Sequence, residues 1–315
     1  MCLQYLQKKI LTLVLAFVFA FSLSSPALAE KGLDPEGDAL AAQQVAAEQQ
    51  MAIQEKEESV IPSSVKDMTA TASILVNAGT GEVLYGNDVD EQRYPASMTK
   101  MMTCILALES GDLDRTVTIS PTAADIECTR VRPGEQVKLG ELVYQMMLVS
   151  DNGAAIAIGE SLGGSQRRFA RKMNAKARVL GMLHTHFVNP NGMPDPDHYS
   201  TAHDMARLAA YCLQNPQFRK IVSTKEKTIY YTKPADYTTD CTNTNELLWT
   251  YDGCTGLKTG YTRAAGACLA ASAKRDGTEL IAVVMHADDE DARFTEAAAL
   301  LDYGFNYFQN GSRDE

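Results

Sequence analysis

Ser97-Met98-Thr99-Lys100 stands at the head of an apolar run, Met101-Met102-Thr103-Cys104-Ile105-Leu106-Ala107-Leu108, and Tyr94-Pro95-Ala96 comes just before it. Spacing of three on a helix puts two side chains on one face, so the Lys100 amine lies against the Ser97 hydroxyl. That is a nucleophile beside its base. Proline, with its fixed φ, suits the first turn of a helix. Ser97 is therefore expected at a helix N-terminus, where developing negative charge is favoured. The plain alternative for four such common residues is a solvated helix start, and the rest of the chain decides between the two.

Ser150-Asp151-Asn152 and Lys258-Thr259-Gly260 lie downstream. Alone, the first reads as a capping cluster and the second as a turn. In this order, S-x-x-K, S-D-N and K-T-G are the known signature of class A β-lactamases and penicillin-binding proteins. Pro95-Ala96-Ser97-Met98-Thr99-Lys100, Phe187-Val188-Asn189-Pro190-Asn191-Gly192, Asp197-His198-Tyr199-Ser200-Thr201 and Gly256-Leu257-Lys258-Thr259-Gly260-Tyr261-Thr262 extend the likeness. From about Ala72 to Phe308 the chain resembles the low-molecular-mass D-alanyl-D-alanine carboxypeptidases.

The resemblance implies a penicillin-binding serine peptidase that removes the terminal D-alanine from the pentapeptide stem of peptidoglycan. The implied fold is α+β, serine β-lactamase-like, with a helical lobe on a five-stranded antiparallel sheet. Ser97 would form the acyl-enzyme, with Lys100 accepting its proton while neutral. Burial and the second cation Lys258 are both expected to disfavour the charged form of Lys100. Ser150 would relay a proton to the leaving amine, and Asn152 would orient Lys100 and the substrate amide. Lys258 and Thr259 suit the terminal carboxylate, Gly260 admits a close backbone, and an edge strand there pairs with the ligand. The resemblance places the oxyanion hole at the backbone N–H groups of Ser97 and Tyr261. β-Lactams are the expected covalent inhibitors, and no cofactor is implied.

Residues 1–29 read as a signal peptide: Lys8-Lys9, the apolar stretch Ile10 to Phe21, and Ala27-Leu28-Ala29 as cleavage site. The protein is expected to be exported and cleaved after Ala29. Losing Lys8 and Lys9 moves the formal net charge from -11 to -13, and no Lys/Arg cluster suited to nucleic acid appears. Residues 30–66 form an acidic Ala/Gln/Glu-rich leader. Eight acidic and two basic residues between Glu30 and Glu58 leave little with which to build a core. A catalytic domain is expected over 67–310 with a tail at 311–315. The sequence stops soon after the last helix, so neither a β-rich C-terminal domain nor a C-terminal membrane anchor is expected.

Within the domain, Ser73–Asn77 with Glu82–Tyr85, and Gly266–Ser272 with Glu279–Met285, read as hairpins. Helical patterns cover Gly140–Ile158, Gln166–Leu180, Thr201–Leu213 and about Asp291–Phe308. Strands at both ends predict one shared antiparallel sheet. The six cysteines left after cleavage show no metal spacing; Cys241 and Cys254 flank a candidate hairpin and are therefore the first pair to test for a disulfide, and Cys104 and Cys212 read as core. His184-Thr185-His186 resembles a metal pair, but no carboxylate is spaced to complete it, so no metal is expected. Asn189-Pro190-Asn191-Gly192 reads as a tight turn and His198 and His203 as structural residues, while Asp151, where many carboxypeptidases of the resembling group carry glycine, is expected to matter little to Ser150 and Asn152.

Three other functions compete. A β-lactamase needs a deacylating Glu in an E-x-x-L-N element between the second and third motifs; Glu226 and Glu246 are the only glutamates between Glu160 and Lys258, and neither context fits. A non-catalytic penicillin-binding or peptidoglycan-binding module has no need of a serine–lysine pair. An endopeptidase acting on cross-links stays open.

Overall fold

Ile74-Leu75-Val76 and Leu280 to Met285 are apolar at every position, which fits strands covered on both faces. The computed structural model, which describes residues 61–311, shows that arrangement. The expected signal segment and residues 30–60 of the leader lie outside the described residues. The chain divides into two units, Met1–Pro62 and Ser63–Glu315, and everything below concerns the second. Val65, within the expected leader, is buried there.

Strands β1 (Ala72–Asn77) and β2 (Val83–Asn87) form the first hairpin, with Leu75 opposite Tyr85. The chain then supplies the Ala96–Thr99 3-10 turn and helix α1 (Lys100–Glu109), short strands β3 (Thr116–Thr118) and β4 (Gln136–Lys138), and helices α2 (Leu139–Leu148), α3 (Asn152–Gly163) and α4 (Gln166–Val179). Helices α5 (Ala202–Leu213) and α6 (Pro216–Val222) precede β5 (Glu226–Lys233) and β6 (Thr238–Thr242). Strands β7 (Cys254–Thr262), β8 (Gly266–Arg275) and β9 (Thr278–Ala287) lead into the last helix, α7 (Ala292–Gly311).

The expected five-stranded antiparallel sheet has the order β2-β1-β9-β8-β7, so the two chain ends do share it. Its second hairpin closes on Asp276-Gly277, both at positive φ, as a two-residue turn between right-twisted strands requires. One face contributes Ile74, Val76, Ile281 and Val283 to the core beneath the helices. Alternate residues face α7. Gly304 of α7 comes so close that a Cβ there would lie 2.6 Å from Leu280 Cδ1 and 2.8 Å from Leu75 Cδ2.

Two expectations need correction, and one feature was absent from the sequence reading. The helical pattern over Gly140–Ile158 is two helices, α2 and α3, because Ser150 takes a left-handed backbone (φ 59°) and Asp151 caps the second helix by accepting from the Ala154 N–H. A second sheet, β3-β4-β5-β6, was not read from the sequence; two of its strands have only three residues, too few to show periodicity. Cys241 and Cys254 do not flank a hairpin. Cys241 belongs to β6, helical residues Leu247–Thr250 intervene before β7, and both thiols are unpaired among the described residues.

Candidate active site

Pro95 precedes the 3-10 turn, and Ser97 projects from that turn just ahead of α1, whose first residue is Lys100. Lys100 is fully buried, and its Nζ lies 2.7 Å from Ser97 Oγ, 2.8 Å from Asn152 Oδ1 and 2.7 Å from the Asn191 carbonyl oxygen. Burial brings its pKa down to about 7, against a partial upward pull from Asp151 and Cys128. A neutral amine has two hydrogens and one lone pair. Asn152 Oδ1 and the Asn191 carbonyl can only accept, so the lone pair faces the one neighbour able to donate, the Ser97 hydroxyl. The three partners thus orient Lys100 as a base.

Asn152 is held in turn by its Nδ2, which donates to the Glu127 carbonyl at 3.0 Å. Asp151, beside it, is buried and accepts four hydrogen bonds, from Thr129 Oγ1, the Arg130 N–H, Gln145 Nε2 and the Ala154 N–H, each at 2.8 Å. Asp151 thus ties the start of α3 to Thr129, Arg130 and Gln145, a structural role that the sequence does not mark. Ser150 is half-buried, and among the described residues its hydroxyl makes no hydrogen bond to Ser97, Lys100 or Lys258. The geometry therefore joins Ser97, Lys100 and Asn152, and leaves Ser150 at the edge of the group.

Across the cleft, Lys258, Thr259 and Gly260 lie on β7, the edge strand of the sheet. Gly260 approaches so closely that a Cβ would sit 3.0 Å from the Ser97 backbone nitrogen and 3.1 Å from the Pro95 carbonyl oxygen. Tyr261, next along the strand, is 53% exposed. Lys258 Nζ is buried and has no carboxylate partner among the described residues; it donates to its neighbour's carbonyl, Thr259 O, at 3.0 Å and to Thr259 Oγ1 at 3.2 Å. Burial first, then the charges of Lys100 and Arg293, hold its pKa well below the ordinary lysine range. The expected coupling is thus felt at Lys258, while burial is what depresses Lys100.

Sequence reasoning missed two contributors, Arg293 and the Asn191 carbonyl, and read His198 as the structural residue it is. Arg293, at the start of α7, is buried and donates to the Gly260 carbonyl at 3.3 Å, placing a fixed positive charge behind β7. Nothing in its local sequence marks it, because only the tertiary fold brings α7 to β7. Asn191 belongs to the expected tight turn, yet its carbonyl is a partner of Lys100 and the neighbouring Pro190 carbonyl accepts from Thr103 Oγ1 at 2.6 Å. His198 is buried and neutral, with its pKa lowered to about 4, chiefly by burial. Its Nδ1 accepts from the Val188 N–H, so Nε2 donates to Thr99 Oγ1 at 2.9 Å and braces the serine turn. Of the two histidines in His184-Thr185-His186, His186 turns its Nδ1 to the Asp197 carbonyl at 2.6 Å. No cluster of three or more metal-ligating side chains occurs among the described residues.

The profile of the peptidase S11 family, D-alanyl-D-alanine carboxypeptidase, matches residues 53–289. D-alanyl-D-alanine carboxypeptidase DacF of Bacillus subtilis is 36% identical over 247 residues, which cover 76% of this chain and 63% of the relative. D-alanyl-D-alanine carboxypeptidase DacB2 of Mycobacterium tuberculosis is 34% identical, over 76% of this chain and 84% of the relative. Among solved structures, the Streptomyces K15 DD-transpeptidase superposes with a TM-score of 0.72 at 33% identity, over 76% of this chain and 98% of that one. The chain therefore belongs to the peptidase S11 family of D-alanyl-D-alanine carboxypeptidases.

Proposed function

We propose that the protein is a serine-type D-alanyl-D-alanine carboxypeptidase of the cell envelope, acting on peptidoglycan stem peptides and acylated by β-lactams. The observation that carries this reading is the buried Lys100 amine, its lone pair directed at Ser97 Oγ across 2.7 Å. Ser97 attacks the carbonyl between the two D-alanines as Lys100 takes its proton, giving the acyl-enzyme and, after protonation, free D-alanine. Ser150 is the group assigned to relay that proton, and substrate would draw its hydroxyl inward. Lys258 awaits an anion: a terminal carboxylate arriving beside it and Thr259 favours its protonated form and offsets the cost of burial. The Ser97 and Tyr261 N–H groups are assigned to the developing oxyanion.

Export rests on the signal pattern in residues 1–29, with Glu30 as the mature N-terminus; N-terminal sequencing of the exported protein tests it. The activity itself is tested by incubating the protein with a pentapeptide ending in D-Ala-D-Ala and assaying D-alanine, with Ser97→Ala as control. Release that depends on Ser97 is the expected result. Acylation by penicillin without any release would favour a binding module instead.

A further inference from the structure

A cleft of about 490 Å³ shares its framework with the active site yet has no part in the chemistry described so far. Tyr94, Tyr199, Pro196 and Ala264 line it, together with the Arg93 guanidinium and the His286 imidazole. Tyr94 stands three residues before Ser97, and Ala264 three residues after Tyr261. Pro196 and Tyr199 continue the loop whose Asn191 carbonyl accepts from Lys100. The Tyr94 carbonyl lies 3.9 Å from Cys268 Sγ, and Cys268 is the residue opposite Gly260 in the sheet.

The direction of a bound peptide follows from the proposed function, on which this inference rests. With its terminal carboxylate at Lys258 and Thr259 and its scissile carbonyl at Ser97 and Gly260, the peptide runs antiparallel to β7. Residues upstream of the scissile bond then extend past Tyr261 and Thr262 toward Ala264. At roughly 3.3 Å per residue, the first residue before the D-Ala-D-Ala pair arrives at that end of the strand. In a pentapeptide stem this is residue three, and the cleft lies where its side chain would go.

The chemistry of the cleft selects among such side chains. No carboxylate is among its lining residues. Arg93 is tied by its Nε to Thr71 Oγ1 at 3.2 Å and by Nη1 to the Gln92 carbonyl at 3.1 Å, while Nη2 has no partner among the described residues. Its ion pair with Glu91, at 3.2 Å, involves a glutamate side chain that is 61% exposed, so it is weak and easily exchanged. Two tyrosines offer apolar faces for methylene groups, and a guanidinium offers a fork for a carboxylate. We propose that this cleft receives residue three of the stem and prefers a side chain ending in a carboxylate, that of a diamino dicarboxylic acid, over lysine.

The test compares two pentapeptides ending in D-Ala-D-Ala that differ only at residue three, meso-diaminopimelate or L-lysine, by D-alanine release from the full chain. A charge-assisted contact predicts a kcat/KM ratio of about tenfold in favour of diaminopimelate. Arg93→Gln brings the ratio close to one. His286→Asn narrows it in the same direction; asparagine tolerates the positive φ of that position, so this variant serves where Arg93→Gln does not fold. An equal or reversed ratio in the unaltered protein, or a ratio unmoved in a folded variant, overturns the subsite. No release from either peptide overturns the carboxypeptidase reading instead.

Discussion

Lys100 is the base in the proposed reaction, and its burial has a measurable signature. An unfolded lysine titrates near 10.5 and the folded one at about 7, so between these pH values the unfolded chain binds more protons. Stability then rises with pH across that window, and the disadvantage of the buried ammonium is fully present below pH 7. Lys258, also depressed, adds in the same direction. Lys100→Met removes its share of this slope, so the variant's advantage in urea midpoint over the parent should be larger at pH 6.5 than at pH 10. A constant difference would mean Lys100 is not depressed. The same proton governs reactivity: penicillin acylation should rise with pH through about 7, and Lys100→Ala should slow it by about 10²-fold or more. Labelling of that variant at the parent rate would refute its role as base. Asp151 acts by holding backbone and side chains in place. Asp151→Ala removes a helix cap and strands the donors of Thr129, Arg130 and Gln145, for a loss of roughly 3 kcal/mol in denaturant unfolding.

At the scale of elements, the site is a meeting of one edge strand with one turn. Gly260 must lack a side chain because β7 passes within contact of the Ser97 turn. Gly260→Val should push the strand outward and slow penicillin acylation by about 10²-fold while far-UV circular dichroism stays unchanged. Acylation at the parent rate would show that the strand can yield. Gly192 has a related constraint: at φ 86° its Cβ would run into the Ala96 carbonyl. Most elements were legible because burial imposes a period. Gln166, Ala202 and Ala292 begin helices within one or two residues of the expected starts, and Ser165 and Thr201 cap the first two. The break at Ser150-Asp151 showed only as a capping cluster, while the buried apolar residues on either side, Met146 to Leu148 and Ala154 to Ile158, still suggested one helix. A pattern of hydrophobicity records that a segment is buried, while backbone geometry at one residue decides whether it is one helix or two.

For the whole molecule, the unresolved chemistry is deacylation. Among the described residues no carboxylate hydrogen-bonds to Ser97, Lys100 or Ser150, and the nearby Asp151 uses its oxygens on four other donors. Benzylpenicillin should therefore remain as a one-to-one adduct on Ser97 that intact-mass spectrometry detects after the free drug is removed. Rapid turnover of the drug would place the protein among the β-lactamases. The chain alone determined the α+β plan and marked Ser97, Lys100 and the Lys258-Thr259-Gly260 stretch as the candidates for nucleophile, base and carboxylate-binding strand, because those depend on residue type, spacing and the periods of helix and strand. Only the tertiary structure brought Arg293 behind Gly260, the Asn191 carbonyl onto Lys100, and Tyr94 and Ala264 to one cleft. Such contacts join residues far apart in sequence through backbone atoms and buried charge, which leave no local pattern to read.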